Sequence, residues 1–248
     1  MRNKNFENEP FQYSKKIHTI TEYFSSKLCC LAFLFICISC QYALSAILET
    51  VPSDDGQKVV TAAGSLSVTQ NNSLLKKGTA TLLITQSHDT ASAYGTIDGA
   101  IIIEKGSITI AHPNALGSGT HASPNNTITL HERTTLGVDQ SHVTTYTLPQ
   151  QLILNGNATL DTGTSNLGGI ITSSGITYAG KILTVIGKGT LTPNNAMVNG
   201  DTGVLALKDA VVLRLTDTNN SPQQINLSGS AQIKVTQSMT LNSTIHLG

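Results

Sequence analysis

Tryptophan is absent from this chain, and phenylalanine and cysteine run out early. All five phenylalanines (Phe6, Phe11, Phe24, Phe33, Phe35) and all four cysteines (Cys29, Cys30, Cys37, Cys40) precede residue 41. Beyond them the only aromatic residues are Tyr42, Tyr94, Tyr146 and Tyr178. Charge is scarce and balanced, with 15 Lys and Arg against 15 Asp and Glu. Each shortage excludes something. Past residue 40 the chain has neither a disulfide framework nor a thiol nucleophile. Five of the fifteen basic and three of the fifteen acidic residues lie before residue 46, so the remainder carries a net charge of about −2. That charge is too small and too scattered for a nucleic-acid or anionic-membrane surface. With so few rings, the core of an ordinary β-sandwich is hard to fill.

What is present divides the chain near residue 45. Arg2, Lys4, Lys15, Lys16 and Lys27 form an extended basic leader. The apolar run Leu28–Ile38 follows, and Ala43 and Ser45 place small residues where a signal peptidase cuts before Ala46. The run is well short of the roughly 20 residues that span a bilayer, so residues 1–45 read as a cleaved signal peptide. A lipid-anchored alternative rests on Cys37-Ile38-Ser39-Cys40, which has a lipobox-like layout with Cys where Leu is usual.

From Val59 onward the sequence repeats one theme. Short β-forming stretches such as Thr79–Thr85, Ala100–Ile103, Thr127–Leu130, Gln151–Leu154, Lys181–Ile186, Val204–Leu207, Val211–Leu215, Gln224–Leu227 and Gln232–Val235 are bounded by Gly, Asn, Ser and Thr. Helical spacing of apolar residues is absent after residue 46. Aliphatic residues in strands this short suit a β-solenoid, where each turn buries its inward side chains against the next. Asn155-Gly156-Asn157, Asn194-Asn195 and Asn199-Gly200 suit its tight corners. No fixed period emerges.

Lys77–Thr120 carries a more specific pattern. Gly78–Ile84, Ala93–Ile97 and Gly106–Ile110 are short strands in succession, closed by Asn114-Ala115-Leu116-Gly117-Ser118-Gly119-Thr120. This segment resembles the autotransporter-associated β-strand repeat of bacterial surface and secreted proteins. Leu152–Asp161 and Gly187–Pro193 are weaker echoes. The resemblance implies a right-handed parallel β-helix in a passenger domain, exported to the surface or medium of a Gram-negative bacterium. A complete protein of that kind carries a C-terminal membrane β-barrel with aromatic girdles. No aromatic residue follows Tyr178, so the expectation is that the barrel is not encoded here and that the solenoid of residues 46–248 is incomplete at its C-terminal end.

Candidate chemistry is thin. His112, His121, His131 and His142 are the nearest thing to a metal site, with His112–His131 and His121–His142 spaced close to one solenoid turn. As turn residues beside Pro113 or in a Gly/Ser loop, with no carboxylate or second His at tight ligand spacing, they read better as solvated corners, so no metal or cofactor is assigned. Asp54-Asp55 is the single adjacent acidic pair and reads as an entry turn rather than as glycosidase carboxylates. There is no G-x-S-x-G nucleophile elbow and no repeated calcium nonapeptide. Asn-x-Ser/Thr triplets, as at Asn157 and Asn226, follow from the composition. The expectation is a non-enzymatic exported solenoid without catalytic residues, acting as a surface stalk or adhesin, with surface glycans or proteins and not nucleic acid as partners. The alternative of another class is a secreted carbohydrate-active β-helix enzyme, which needs a carboxylate cluster.

Overall fold

The computed structural model describes residues 46–49, 59–62, 67–68, 73–88, 93, 96–117, 126–172, 174–193, 202–216, 222–236, 238–239, 241 and 243–248. The leader, Asp54-Asp55 and His121 lie outside these residues. The chain divides into two units, Met1–Leu44 and Ser45–Gly248, and every described residue belongs to the second.

The described residues form twenty short strands, numbered β1 to β20 along the chain, and no helix. A first sheet stacks β1 (Ala46–Glu49), β3 (Ser73–Lys77), β5 (Ala100–Ile103), β7 (Thr127–Leu130), β10 (Gln151–Leu154) and β13 (Ile176–Thr177). A second, nine strands deep, stacks β2 (Val59–Ala62), β4 (Thr81–Ile84), β6 (Ser107–Ile110), β8 (Thr135–Val138), β11 (Ala158–Asp161), β14 (Ile182–Ile186), β16 (Val204–Leu207), β18 (Gln224–Leu227) and β20 (Thr244–Leu247). A third stacks β9 (Thr145–Leu148), β12 (Gly169–Thr172), β15 (Thr190–Pro193), β17 (Val212–Leu215) and β19 (Gln232–Val235). Every pairing is parallel, and neighbours in a sheet are one circuit of chain apart. The protein is a parallel β-solenoid.

Alternation explains the winding. Successive side chains of a strand point to opposite faces, so a four-residue strand sends two residues inward and two outward. In register, the inward residues line up as files of like side chains. One file of the second sheet runs Leu82, Ile108, Leu136, Leu160, Val185, Leu207, Leu227 and Leu247. A file of the first runs Leu74, Ile101, Ile128, Leu152 and Ile176, all fully buried. Each fully buried side chain of these files contributes about 1.5–3 kcal/mol by leaving water. Rungs rise only about 4.8 Å, so aliphatic side chains fill each layer without rings.

The circuit is not constant. Ser107 pairs with Thr135, 28 residues on, and Thr135 with Thr159, 24 on. Ile182 pairs with Val204, 22 on, and Gln224 with Thr244, 20 on. The cross-section changes with it. Between the second and first sheets the described residues of the early rungs show one bridge, Val68 to Ile97, where later rungs have the third sheet. Among the described residues the first sheet ends at β13, and the rungs β16–β17 and β18–β19 show two strands each. At the handover, two side chains stand in for strand pairing. The Leu116 N–H donates to Tyr146 Oη at 3.1 Å, and Gln150 Nε2 donates to the Leu116 carbonyl at 2.5 Å.

The corner between the first two sheets is tight. Lys76 pairs across to Ile103 in an inward file and is fully buried. Its Nζ donates to the carbonyls of Lys77 (3.0 Å), Gly78 (2.9 Å) and Lys105 (3.0 Å). Gly106 adopts φ +70, and a Cβ there would sit 2.7–2.8 Å from three carbonyl oxygens, of Gly78, Thr79 and Ala80. At the other extreme β20 has a neighbour on one side only, and Val235, Ile245 and Leu247 are exposed at 48%, 43% and 81%.

Candidate functional site: a groove across the third sheet

The outward files of the third sheet are Thr145, Gly169, Thr190, Val212, Gln232 and Thr147, Ile171, Thr192, Arg214, Lys234 along β9, β12, β15, β17 and β19. Four of five positions in the first file carry a side chain. The fifth is Gly169, which places no side chain between Thr145 and Thr190. A Cβ on Gly169 would lie 1.8 Å from the Thr190 carbonyl oxygen, and one on Gly168 1.5 Å from that of Thr144. The glycine pair therefore lets the loop ahead of β12 press onto the neighbouring rungs. That loop supplies one wall with Asn166 and Leu167, the latter 85% exposed. Thr145, Gly168, Gly169, Ile171, Thr190, Thr192 and Arg214 complete a groove of about 230 Å³. Its polar groups are three threonine hydroxyls, one amide and one guanidinium. No carboxylate lines it.

The loop is held from behind. Gln140 Nε2 donates to the Thr162 carbonyl at 2.7 Å, and its Oε1 accepts from the Ser165 N–H. Leu167 N–H donates to Ser165 Oγ at 3.2 Å. The groove wall is thus braced by a residue of the preceding rung.

The histidines do not converge. His112 follows β6, and its Nδ1 accepts the Asn114 N–H at 3.2 Å, capping a turn. His131 follows β7, with Nε2 3.4 Å from Asn155 Nδ2 on the next rung. His142 lies in the turn between β8 and β9. The His112–His131 interval is shorter than the local circuit, and β6 and β7 belong to different sheets. The suggested stacking of these two residues is therefore corrected: His131 stacks near Asn155. Among the described residues, no group of three His, Cys, Asp or Glu side chains is placed to hold a metal.

One cluster escaped the sequence reading. Ser141 Oγ donates to Asp139 Oδ1 at 2.5 Å, and His142 Nδ1 lies 2.8 Å from Ser141 Oγ and 3.1 Å from Asp139 Oδ2. The Ser141 hydroxyl leads the groups that hold the Asp139 carboxyl below its ordinary 3.8, helped by the Ser141 N–H and by His142 and opposed by partial burial. Serine, histidine and aspartate meet here without forming a relay. A triad needs the carboxylate at Nδ1 and the hydroxyl at Nε2, whereas both groups here sit at Nδ1, and the hydroxyl spends its proton on the carboxylate. The cluster is an exposed hydrogen-bonded turn.

No protein-family model, curated protein or solved structure matches this chain. The case for function therefore stands on the solenoid, its groove and the sequence. The groove residues had a faint sequence signal, Gly168-Gly169 immediately ahead of a strand, with Thr-x-Thr at 145–147 and 190–192. What brings them together is the register between rungs, which no local pattern encodes.

Proposed function

We propose that this chain is a non-enzymatic, exported β-solenoid, a passenger-like segment of the autotransporter type, acting as a surface stalk or adhesin. The observation that carries the reading is the parallel stack of rungs, continuous through the nine strands of the second sheet, with aliphatic files inside and mixed files of Thr, Ser, Gln and scattered aliphatic residues outside. Such a stack is a quasi-one-dimensional rod that presents long lateral surfaces to partners. Three features support export: the basic leader and apolar run, the freedom from cysteine after residue 40, and a first strand that opens at Ala46, directly after the small-residue pair Ala43 and Ser45. The carboxylate-free groove suits binding better than glycoside hydrolysis, which needs two acids flanking the bond.

Producing the full chain in a Gram-negative host tests the export half directly. Mass spectrometry of the exported product is expected to give an N-terminus near Ala46 and no cysteine. A product retained in the cytoplasm with its leader overturns the reading, and one lipidated at Cys40 replaces it with the lipid-anchored alternative.

A further inference from the structure

We infer that the groove across the third sheet takes an acidic saccharide, a uronic-acid type of sugar whose carboxylate is read by Arg214. The inference deepens the adhesin reading and rests on it.

The lining decides the ligand class. Thr145, Thr190 and Thr192 offer hydroxyls that both donate and accept, and Asn166 offers an amide that does the same, a mixture matched to the alternating donors and acceptors of a sugar ring. Arg214 adds a planar fork of donors fitted to a carboxylate. Among the described residues no carboxylate pairs with it, and Lys234 stands beside it in register on the next rung, so the groove leads toward positive charge. Leu167 and Ile171 supply a small apolar contact for the carbon face of a ring. A volume of about 230 Å³ lies a little under the range of drug-sized pockets, which suits a monosaccharide-sized unit of a chain.

The position of the groove argues against an extended peptide. Peptides that bind sheets are recognised by main-chain pairing at an edge strand. This groove crosses the face of the sheet from β9 to β17, over strands whose backbone groups already pair with neighbouring rungs. Only side chains are on offer. With no aromatic ring for stacking and an open groove, binding at one groove is weak, and selectivity for charge comes from the guanidinium.

The experiment is an NMR titration of the full chain in its exported form with methyl glucuronide, methyl glucoside and a short polyglutamate peptide. Expected are shifts confined to Thr145, Gly168–Ile171 and Thr190–Thr192, half-saturating at about millimolar glucuronide. Methyl glucoside is expected to bind about tenfold more weakly, the discrimination typical of one charged hydrogen-bonded pair. Arg214→Gln, at an exposed position that leaves the fold intact, is expected to abolish that preference. Thr192→Val, which keeps shape and removes a hydroxyl, is expected to weaken both sugars alike. Equal binding of the two sugars by the unaltered chain, shifts elsewhere on the solenoid, or no shift at tens of millimolar (about ten times the expected half-saturation) overturns the inference. Polyglutamate matching the glucuronide at the same resonances overturns it in favour of an acidic peptide. Any of these failures with export intact sinks the ligand and spares the adhesin reading, whereas cytoplasmic retention sinks that reading and leaves sugar binding separately measurable.

Discussion

Lys76 shows how a single polar side chain is accommodated in a stack of aliphatic files. Burial pushes its ammonium's pKa down from 10.5, while three N–H groups meet three carbonyl oxygens of two successive rungs. The side chain thus fills core volume and satisfies corner carbonyls that no strand pairs. Removing both roles costs more than removing one. Lys76→Ala is expected to destabilise the solenoid by about 2–5 kcal/mol, the range for large-to-small changes in a core. Lys76→Met keeps the volume and leaves the carbonyls, and is expected to cost about 1–3 kcal/mol. Urea unfolding followed by circular dichroism checks the order. A Met variant as damaged as the Ala variant shows that the hydrogen bonds, and not the packing, dominate. Tyr146, on β9 of the third sheet, works in the same way. Burial raises its hydroxyl's pKa far above the ordinary 10.0 and keeps it neutral beside the Leu116 N–H.

At the scale of the element, the strands themselves were readable. Ala100–Ile103, Thr127–Leu130, Gln151–Leu154, Val204–Leu207, Gln224–Leu227 and Gln232–Val235 fall where alternating aliphatics between turn residues place them. Ser73–Lys77 and Thr135–Val138 were harder to see, the first because two lysines interrupt the apolar pattern and the second because Gly137 takes an outward position. The absence of a countable period also has a structural cause, since the circuit falls from 28 to 20 residues as sheets are exchanged. The groove was less legible than the strands. Its residues come from four segments on four rungs, and only the register aligns Gly169 with Thr145 and Thr190. Glycine at this position is also a packing requirement. Gly169→Ala drives a methyl into the Thr190 carbonyl and is expected to cost about 1–3 kcal/mol. Gly180→Ala, whose Cβ meets only Thr202 Oγ1 at 3.4 Å, pays the positive φ of +75 alone, about 1 kcal/mol. Thermal unfolding of the two variants, with the larger loss at residue 169, checks the close approach.

For the whole molecule, stability is a sum over rungs and the contacts between them, so the ends are weakest. Among the described strands β20 has a partner on one side only, beside exposed Ile245 and Leu247, and in a chain made to stop at Gly248 that edge is a template for another strand. The chain is expected to associate with rising concentration, and Ile245→Lys with Leu247→Lys to suppress this in sedimentation velocity. Amide exchange is expected to be slowest across Ile128–Val185 and fastest across Ile233–Leu247. Association unchanged by the two lysines places the contact elsewhere. The shrinking circuit has one more consequence. A stack of near-identical Leu and Ile files is open to slippage, since any rung finds an acceptable neighbour in almost any other, and a one-rung error loses little burial. Unequal circuits act as a key. A strand that closes a 28-residue loop cannot take the place of one that closes a 20-residue loop without straining or bulging the turns between strands. The irregularity that hides the repeat from the reader of the sequence is what tells each rung, during folding, which neighbour is its own.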